Sequence, residues 1–119
     1  MPKREVIIPQ GMESIYEKYH YCPGVKIGNM LYISGQVGRD ENLQVVQKIE
    51  EQFIQAFENV KKVLVAAGAT FDNFVEMVIY HVTGTNVGES SESQKSFTIP
   101  HLALFMKVKD CYFTKEFPT

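Results

Sequence analysis

Residues that could take part in metal, acid–base or nucleophilic chemistry are few and scattered in this sequence. The histidines His20, His81 and His101 have neither the spacing of a metal-binding pair nor an acidic neighbour at ligand spacing. The cysteines Cys22 and Cys111 lie far apart and belong to no metal-type motif. The sequence therefore predicts no metal site and no cofactor, and two unpaired cysteines suit a reducing cytoplasm.

Three of these residues have structural interpretations. His81 continues one apolar face of the segment before it, which predicts a partly buried histidine. Cys111 falls on the apolar stripe of a helix and is expected in the core. Cys22 stands in a Tyr-Cys-Pro turn with no base beside it in the sequence, so a structural cysteine is expected there.

The segment GNMLYISGQVG, residues 28–38, ends an apolar strand in Ser34, Gly35 and Gln36. A glycine at such a corner lets the chain turn sharply, or lets a ligand approach backbone N–H groups. The corner matches neither a phosphate-binding loop, nor a dinucleotide fingerprint, nor a nucleophile elbow. The residues alone leave a structural turn and a binding corner open, and favour the turn.

The chemistry-bearing positions need a scaffold, and the pattern predicts one α+β domain over residues 1–119, with helices on one side of the sheet. Hydrophobic periodicity and turn residues predict strands over 4–9, on either side of Gly28-Asn29, and over 73–83. Periodicity and capping residues predict one helix over 49–67, capped by Gly68, and a second helix that begins at Pro100. Residues 84–96 are expected to form a loop, and 95–100 to offer a replacement edge strand.

The predicted strand over residues 73–83 is apolar on both faces. Two helices can cover only one face of a sheet this size, so the other face requires a partner. Self-association is the simplest source of that partner.

Charge and composition favour a soluble cytoplasmic protein. With 12 basic and 14 acidic residues the net charge is −2, so nucleic acid and anionic membranes are not expected as partners. No apolar run approaches the roughly 20 residues of a membrane span, and the N-terminus has no signal-peptide pattern.

The corner motif GNMLYISGQVG, followed by the helix AFENVKKVLVAAGA, resembles the Rid family, also called YjgF-like or L-PSP-like proteins. The similarity runs over residues 23–83 and resumes over 102–118. It implies a chorismate-mutase-like mixed sheet with two helices on one face, assembled as a homotrimer with clefts between subunits. It also implies hydrolysis of reactive enamines and 2-imino acids to 2-keto acids and ammonia, with a small carboxylate-bearing metabolite as ligand.

Residue by residue, the resemblance implies a catalytic group of Tyr21, Ser34 and Gly35. Cys22 stands where the family often has a serine after the tyrosine. Lys109 falls where the family has an asparagine on the second helix, and Arg39, after the corner, is a further candidate for binding the substrate.

The family's carboxylate-binding arginine and its last two strands have no counterpart before the chain ends at Thr119. Three functions therefore stay open at this point: an imine deaminase, a non-catalytic trimer that binds a small metabolite, and a ribonuclease or translation inhibitor. The last is disfavoured by the net charge and by the lack of an aromatic and basic stripe.

Overall fold

The computed structural model describes residues 3–81 and 101–119. Its elements, in chain order, are β1 (Arg4–Ile7), α1 (Glu13–Tyr19), β2 (Gly24–Ile27), β3 (Met30–Ile33), α2 (Ile49–Ala66), a 3₁₀ turn (Phe71–Asn73) and α3 (Leu102–Tyr112). The predicted loop over 84–96, the edge strand over 95–100 and the helix-starting Pro100 lie outside the described residues.

The three strands form an antiparallel sheet in the order β1–β2–β3. Ile27 pairs with Met30, so two residues, Gly28 and Asn29, connect β2 to β3. Gly28 has a φ of 57°, which glycine adopts at little cost. The predicted hairpin is confirmed.

α2 packs on the inner face of this sheet. Val63 is fully buried in a cluster with Ile7 and Met12. Gly24 permits the close approach, because a Cβ at that position would lie 2.6 Å from Cγ1 of Val63. The helix ends as predicted: Gly68 follows it in the left-handed region, with a φ of 78°.

An aromatic layer joins α2 to α3. Phe57, Phe105, Val108 and Phe113 form its buried cluster. The Phe57 ring stacks on Tyr112 with the ring centroids 5.0 Å apart. The three- and four-residue spacing of apolar residues that predicted both helices places these side chains on the faces of α2 and α3 that meet.

His81 lies at the edge of the aromatic layer and is half-buried, as predicted. Its ring meets the edges of Phe53 and Phe105, with centroid distances of 6.4 and 4.7 Å.

Cys111 is exposed, and its prediction as a core residue is wrong. Phe105 and Val108 form the buried face of α3. Successive residues of a helix are about 100° apart, so Tyr112 lies about 40° from Val108 and Cys111 about 60°. Tyr112 therefore takes the inward direction, and the Cys111 thiol donates to the carbonyl of Lys107 at its own helix surface.

The strand predicted over 73–83 forms no ladder with another strand in its described part. Residues 74–81 are irregular, and the chain terminus pairs with them at one residue. The Thr119 N–H donates to the Val75 carbonyl at 3.0 Å, and the Met77 N–H donates to the Thr119 carbonyl at 2.9 Å. This is the bond pattern of a parallel pair, one residue long. Among residues 3–81 and 101–119, no strand longer than this one-residue pair lies beside the segment. The sheet that these residues form is therefore the antiparallel sheet of β1, β2 and β3.

Candidate functional site

The corner after β3 is tied to the turn that precedes β2. The Ser34 N–H donates to the Pro23 carbonyl at 2.9 Å, and the Ser34 hydroxyl donates to the carbonyl of Cys22. These bonds bring Tyr21 and Cys22 beside a corner that is 12 or more residues away in sequence. A Cβ added to Gly35 would meet no atom within 4 Å, so the Gly35 backbone faces open space.

Tyr21, Gly35 and Arg39 line one pocket between the corner, α1 and α2. The enclosed space is about 40 Å³, which is room for a few water molecules. This space is too small to enclose a metabolite.

The charged side chains of this pocket differ in whether they have hydrogen-bond or ion-pair partners among the described residues. Oδ1 of Asp40 accepts the N–H groups of Asn42 and Gln44, at 2.9 and 3.0 Å. Glu41 pairs with Lys62 at 3.6 Å. Arg39 forms no ion pair with any carboxylate of residues 3–81 and 101–119. Of the two cations that line the pocket, Lys62 is paired with a carboxylate of the described residues and Arg39 is not.

The predicted substrate-binding residues are placed differently from one another. Cys22 is half-buried, and its sulfur lies 3.8 Å from Nη2 of Arg4. Its carbonyl, rather than its thiol, contacts the corner through Ser34. Lys109 lies on α3, with its ammonium 6.0 Å from the ring centre of Phe117, and does not line this pocket.

Asn59 is a pocket residue that the sequence did not predict. It lies on α2, is 7% exposed and lines the same pocket as Arg39. Its Nδ2 donates to the carbonyls of Val37 and Arg39 at 2.8 and 2.9 Å. The available signal was an amide side chain one turn before the buried Val63, where an apolar residue is the norm.

The described residues, 3–81 and 101–119, contain neither a metal-binding cluster nor a membrane-spanning helix. Among those residues, no cluster of three His, Cys, Asp or Glu side chains could hold a metal ion. No helix formed by those residues combines the length and apolar character needed to cross a bilayer.

Comparison with known protein families shows which family this chain belongs to. Residues 12–108 match the family model described as Endoribonuclease L-PSP. The chain belongs to this family, the Rid or YjgF-like proteins. The family prediction made from the corner motif and the α2 sequence is confirmed, and so is the α+β YjgF-like fold.

Individual relatives agree with this assignment. The chain is 31% identical over 96 residues to the RutC family protein YjgH of Escherichia coli K12, a match that covers 81% of this chain and 73% of YjgH. It is 35% identical over 81 residues to a 2-iminobutanoate/2-iminopropanoate deaminase of Dermatophagoides farinae, covering 66% of this chain and 61% of that protein. The solved structure of protein YJGH superposes with a TM-score of 0.76 at 26% identity, over 98% of this chain and 79% of that one.

Proposed function

We propose that this protein is a Rid-type deaminase that hydrolyses reactive 2-imino acids and their enamine tautomers to 2-keto acids and ammonia. Family membership and the named activity of the Dermatophagoides farinae relative support this proposal. The observation that carries it is the composition of the corner pocket. Tyr21, an open Gly35 backbone and Arg39, which has no carboxylate partner among residues 3–81 and 101–119, line the same small space.

The reaction needs little from the protein beyond positioning and electrostatics. A protonated imine is already electrophilic, so one water adds to the imine carbon, the tetrahedral carbinolamine forms, and its C–N bond breaks to release ammonia. The Arg39 guanidinium is proposed to hold the substrate carboxylate by a charge-assisted pair of hydrogen bonds. The Gly35 N–H and the Tyr21 hydroxyl are proposed to contact the reacting end.

Ser34 does not line the pocket itself but precedes Gly35 at its edge, and its role in this scheme is restricted. Its hydroxyl hydrogen is already donated to the Cys22 carbonyl. The Ser34 oxygen can therefore only accept a hydrogen bond from a ligand, either from an iminium N–H or from the attacking water. An acceptor at this place orients the water and stabilises the positive charge of the iminium.

We further propose that the cleft is completed by a neighbouring subunit in a homotrimer. The pocket of one chain has about 40 Å³ of space, which is room for only a few water molecules. On the outer face of the sheet, Val6 pairs with Val25 and Val25 pairs with Tyr32, and Tyr32 is 58% exposed. This apolar face and the position of Lys109 outside its own pocket support a second chain as the other wall.

The activity is tested by supplying 2-iminobutanoate, generated in the assay, and following 2-oxobutanoate and ammonia above the spontaneous rate. Ser34→Ala and Tyr21→Phe should each lower kcat/KM by about 10- to 100-fold. Tyr16→Phe is the matched control, because Tyr16 is exposed on α1 and does not line the pocket. Unchanged rates in both site variants would contradict the site assignment.

The same experiment separates the other two functions. Saturable binding of 2-oxobutanoate without turnover by the wild-type protein would replace the deaminase with a non-catalytic metabolite-binding trimer. Cleavage of RNA that Ser34→Ala abolishes, with no deaminase rate, would favour the ribonuclease.

The intersubunit cleft is tested by mixing subunits. If Lys109 reaches the corner of a neighbouring chain, Ser34→Ala and Lys109→Ala are each impaired, but randomly mixed trimers regain about one quarter of the wild-type sites. Native mass spectrometry of the mixture reports the subunit number. Recovery absent from mixed trimers would contradict a cleft that combines Ser34 of one chain with Lys109 of the next.

A further inference from the structure

The loop from Val37 to Val46 is held against α2 by amide side chains of that helix. Nδ2 of Asn59 donates both of its hydrogens, to the carbonyls of Val37 and Arg39. Nε2 of Gln52 donates to the Val46 carbonyl at 2.9 Å. The helix thus binds the loop at its beginning and at its end.

The orientation of the Asn59 amide is determined on both sides. Its Oδ1 accepts from Nε2 of Gln55 at 2.9 Å, one turn earlier on α2. A buried amide is costly unless its hydrogen bonds are made, and asparagine is a poor helix former. The hydrogen bonds to the carbonyls of Val37 and Arg39 offset the free-energy cost of burying the Asn59 amide in α2.

The loop is also braced internally, so that fixing its first residues fixes the remainder. The Val46 N–H donates to the Gly38 carbonyl at 2.9 Å, and the Asp40 N–H donates to the Gln44 carbonyl at 3.0 Å. Arg39 and Val45 form an isolated antiparallel bridge. Gly38 abuts the helix directly, since an added Cβ would lie 2.4 Å from the Gln52 carbonyl oxygen.

We propose that Asn59 is a positioning residue that holds the Arg39 backbone, and through it the Arg39 side chain, beside Gly35 at the cleft. The ligand in this inference, a carboxylate-bearing imine or keto acid, rests on the proposed function. The mechanical part of the inference, that Asn59 holds the loop against α2, does not rest on the proposed function, because it concerns only the bonds between α2 and the loop.

The mechanical part is tested by amide hydrogen exchange in Asn59→Ser and Asn59→Asp. Both variants lose the two donated bonds, and either one suffices if the other does not fold. The Val46 and Asp40 amides should exchange at least about tenfold faster, while the β2–β3 amides do not. Val108→Ala is the control, because it weakens the core at α3 without touching the loop. Loop exchange that rises no more than in this control overturns the proposal.

The functional part is tested by kinetics on 2-iminobutanoate and by direct titration with 2-oxobutanoate. Asn59→Ser should raise KM and the 2-oxobutanoate Kd by about tenfold and change kcat by less than about threefold. Val108→Ala should leave all three constants within about twofold. A fall in kcat with an unchanged KM overturns the positioning role.

A double variant decides whether Asn59 acts through Arg39. If it does, Asn59→Ser adds less than about twofold to the Kd of Arg39→Gln, because the positioned group is already gone. Multiplicative effects overturn the proposal. If the wild-type protein shows no deaminase rate, the proposed function fails, but hydrogen exchange and the 2-oxobutanoate titrations still decide the role of Asn59.

Discussion

Residues 34–46 and residues 74–81 are both irregular, but they are held in different ways. In the first segment, backbone carbonyls accept hydrogen bonds from Asn59 and Gln52 of one helix. In the second segment, the side chains of Val75 and Tyr80 are 71% and 92% exposed. A single helix can therefore define an irregular loop, whereas a strand with two apolar faces requires neighbours on both sides.

The two segments also differ in what a substitution can disturb. The loop is close-packed against α2 at Gly38, where the backbone has no room for an added Cβ. One side of residues 74–81 packs on the aromatic layer, and the other side is exposed.

Phe57→Ala should lower the free energy of unfolding by about 3–5 kcal/mol, because it removes a buried ring at the centre of the aromatic layer. Tyr80→Ala should change it by less than about 0.5 kcal/mol, since that ring is exposed. Urea unfolding of both variants at a concentration where the protein is monomeric gives the comparison. Similar losses in the two variants would contradict the description of residues 74–81.

Gly38→Ala should cost about 1–3 kcal/mol or more, because the new methyl group meets the Gln52 carbonyl oxygen and Cγ, each 2.4 Å away. Gly35→Ala is the matched change, with no atom within 4 Å of the new Cβ, and should be nearly neutral for stability. Thermal unfolding distinguishes them. If the two alanines cost the same, the loop is not packed against α2 as described.

Tyr112→Phe should cost about 1 kcal/mol at neutral pH, since the hydroxyl donates to Oε2 of Glu58 at 2.7 Å. Burial, and then the hydrogen bond and charge of Glu58, raise the pKa of Tyr112 above its ordinary value of 10.0. The folded protein therefore holds this proton more tightly than the unfolded chain does. Its stabilising contribution is present below pH 10 and is lost as the pH rises above 10.

The check on Tyr112 is urea unfolding of the wild type and of Tyr112→Phe at pH 8, 10 and 11. The difference between them should shrink as the pH increases, because only the wild type loses the Tyr112 contribution. A difference that grows with pH would mean that the folded state favours the phenolate, and would contradict the contact with Glu58.

Much of the fold could be predicted from local patterns. The three- and four-residue spacing of apolar side chains predicts α2, and Gly28-Asn29 predicts the hairpin, because both depend on neighbouring residues. The alternation of residues 73–83 predicts two apolar faces, but no local pattern supplies the strand that would pair with them. For Cys111, a stripe read at three-residue steps included a residue that the 3.6-residue turn carries out of the core.

The site was less accessible to such reasoning. Tyr21 and Gly35 are brought together by bonds from Ser34 to the backbone of residues 22 and 23, which no periodicity indicates. Their association was predicted from the family resemblance alone. Asn59 could have been suspected as a polar residue in a buried face, but its partners at Val37 and Arg39 depend on how the loop folds back onto α2.

The most direct test of the central claim is the initial rate of 2-oxobutanoate release from 2-iminobutanoate by the wild-type protein and by Arg39→Gln, measured side by side. We expect a rate above the spontaneous one for the wild type, and a KM about 10- to 100-fold higher for the variant, because one charge-assisted carboxylate contact is lost. A wild-type rate equal to that of buffer, or an equal KM in both proteins, would contradict it.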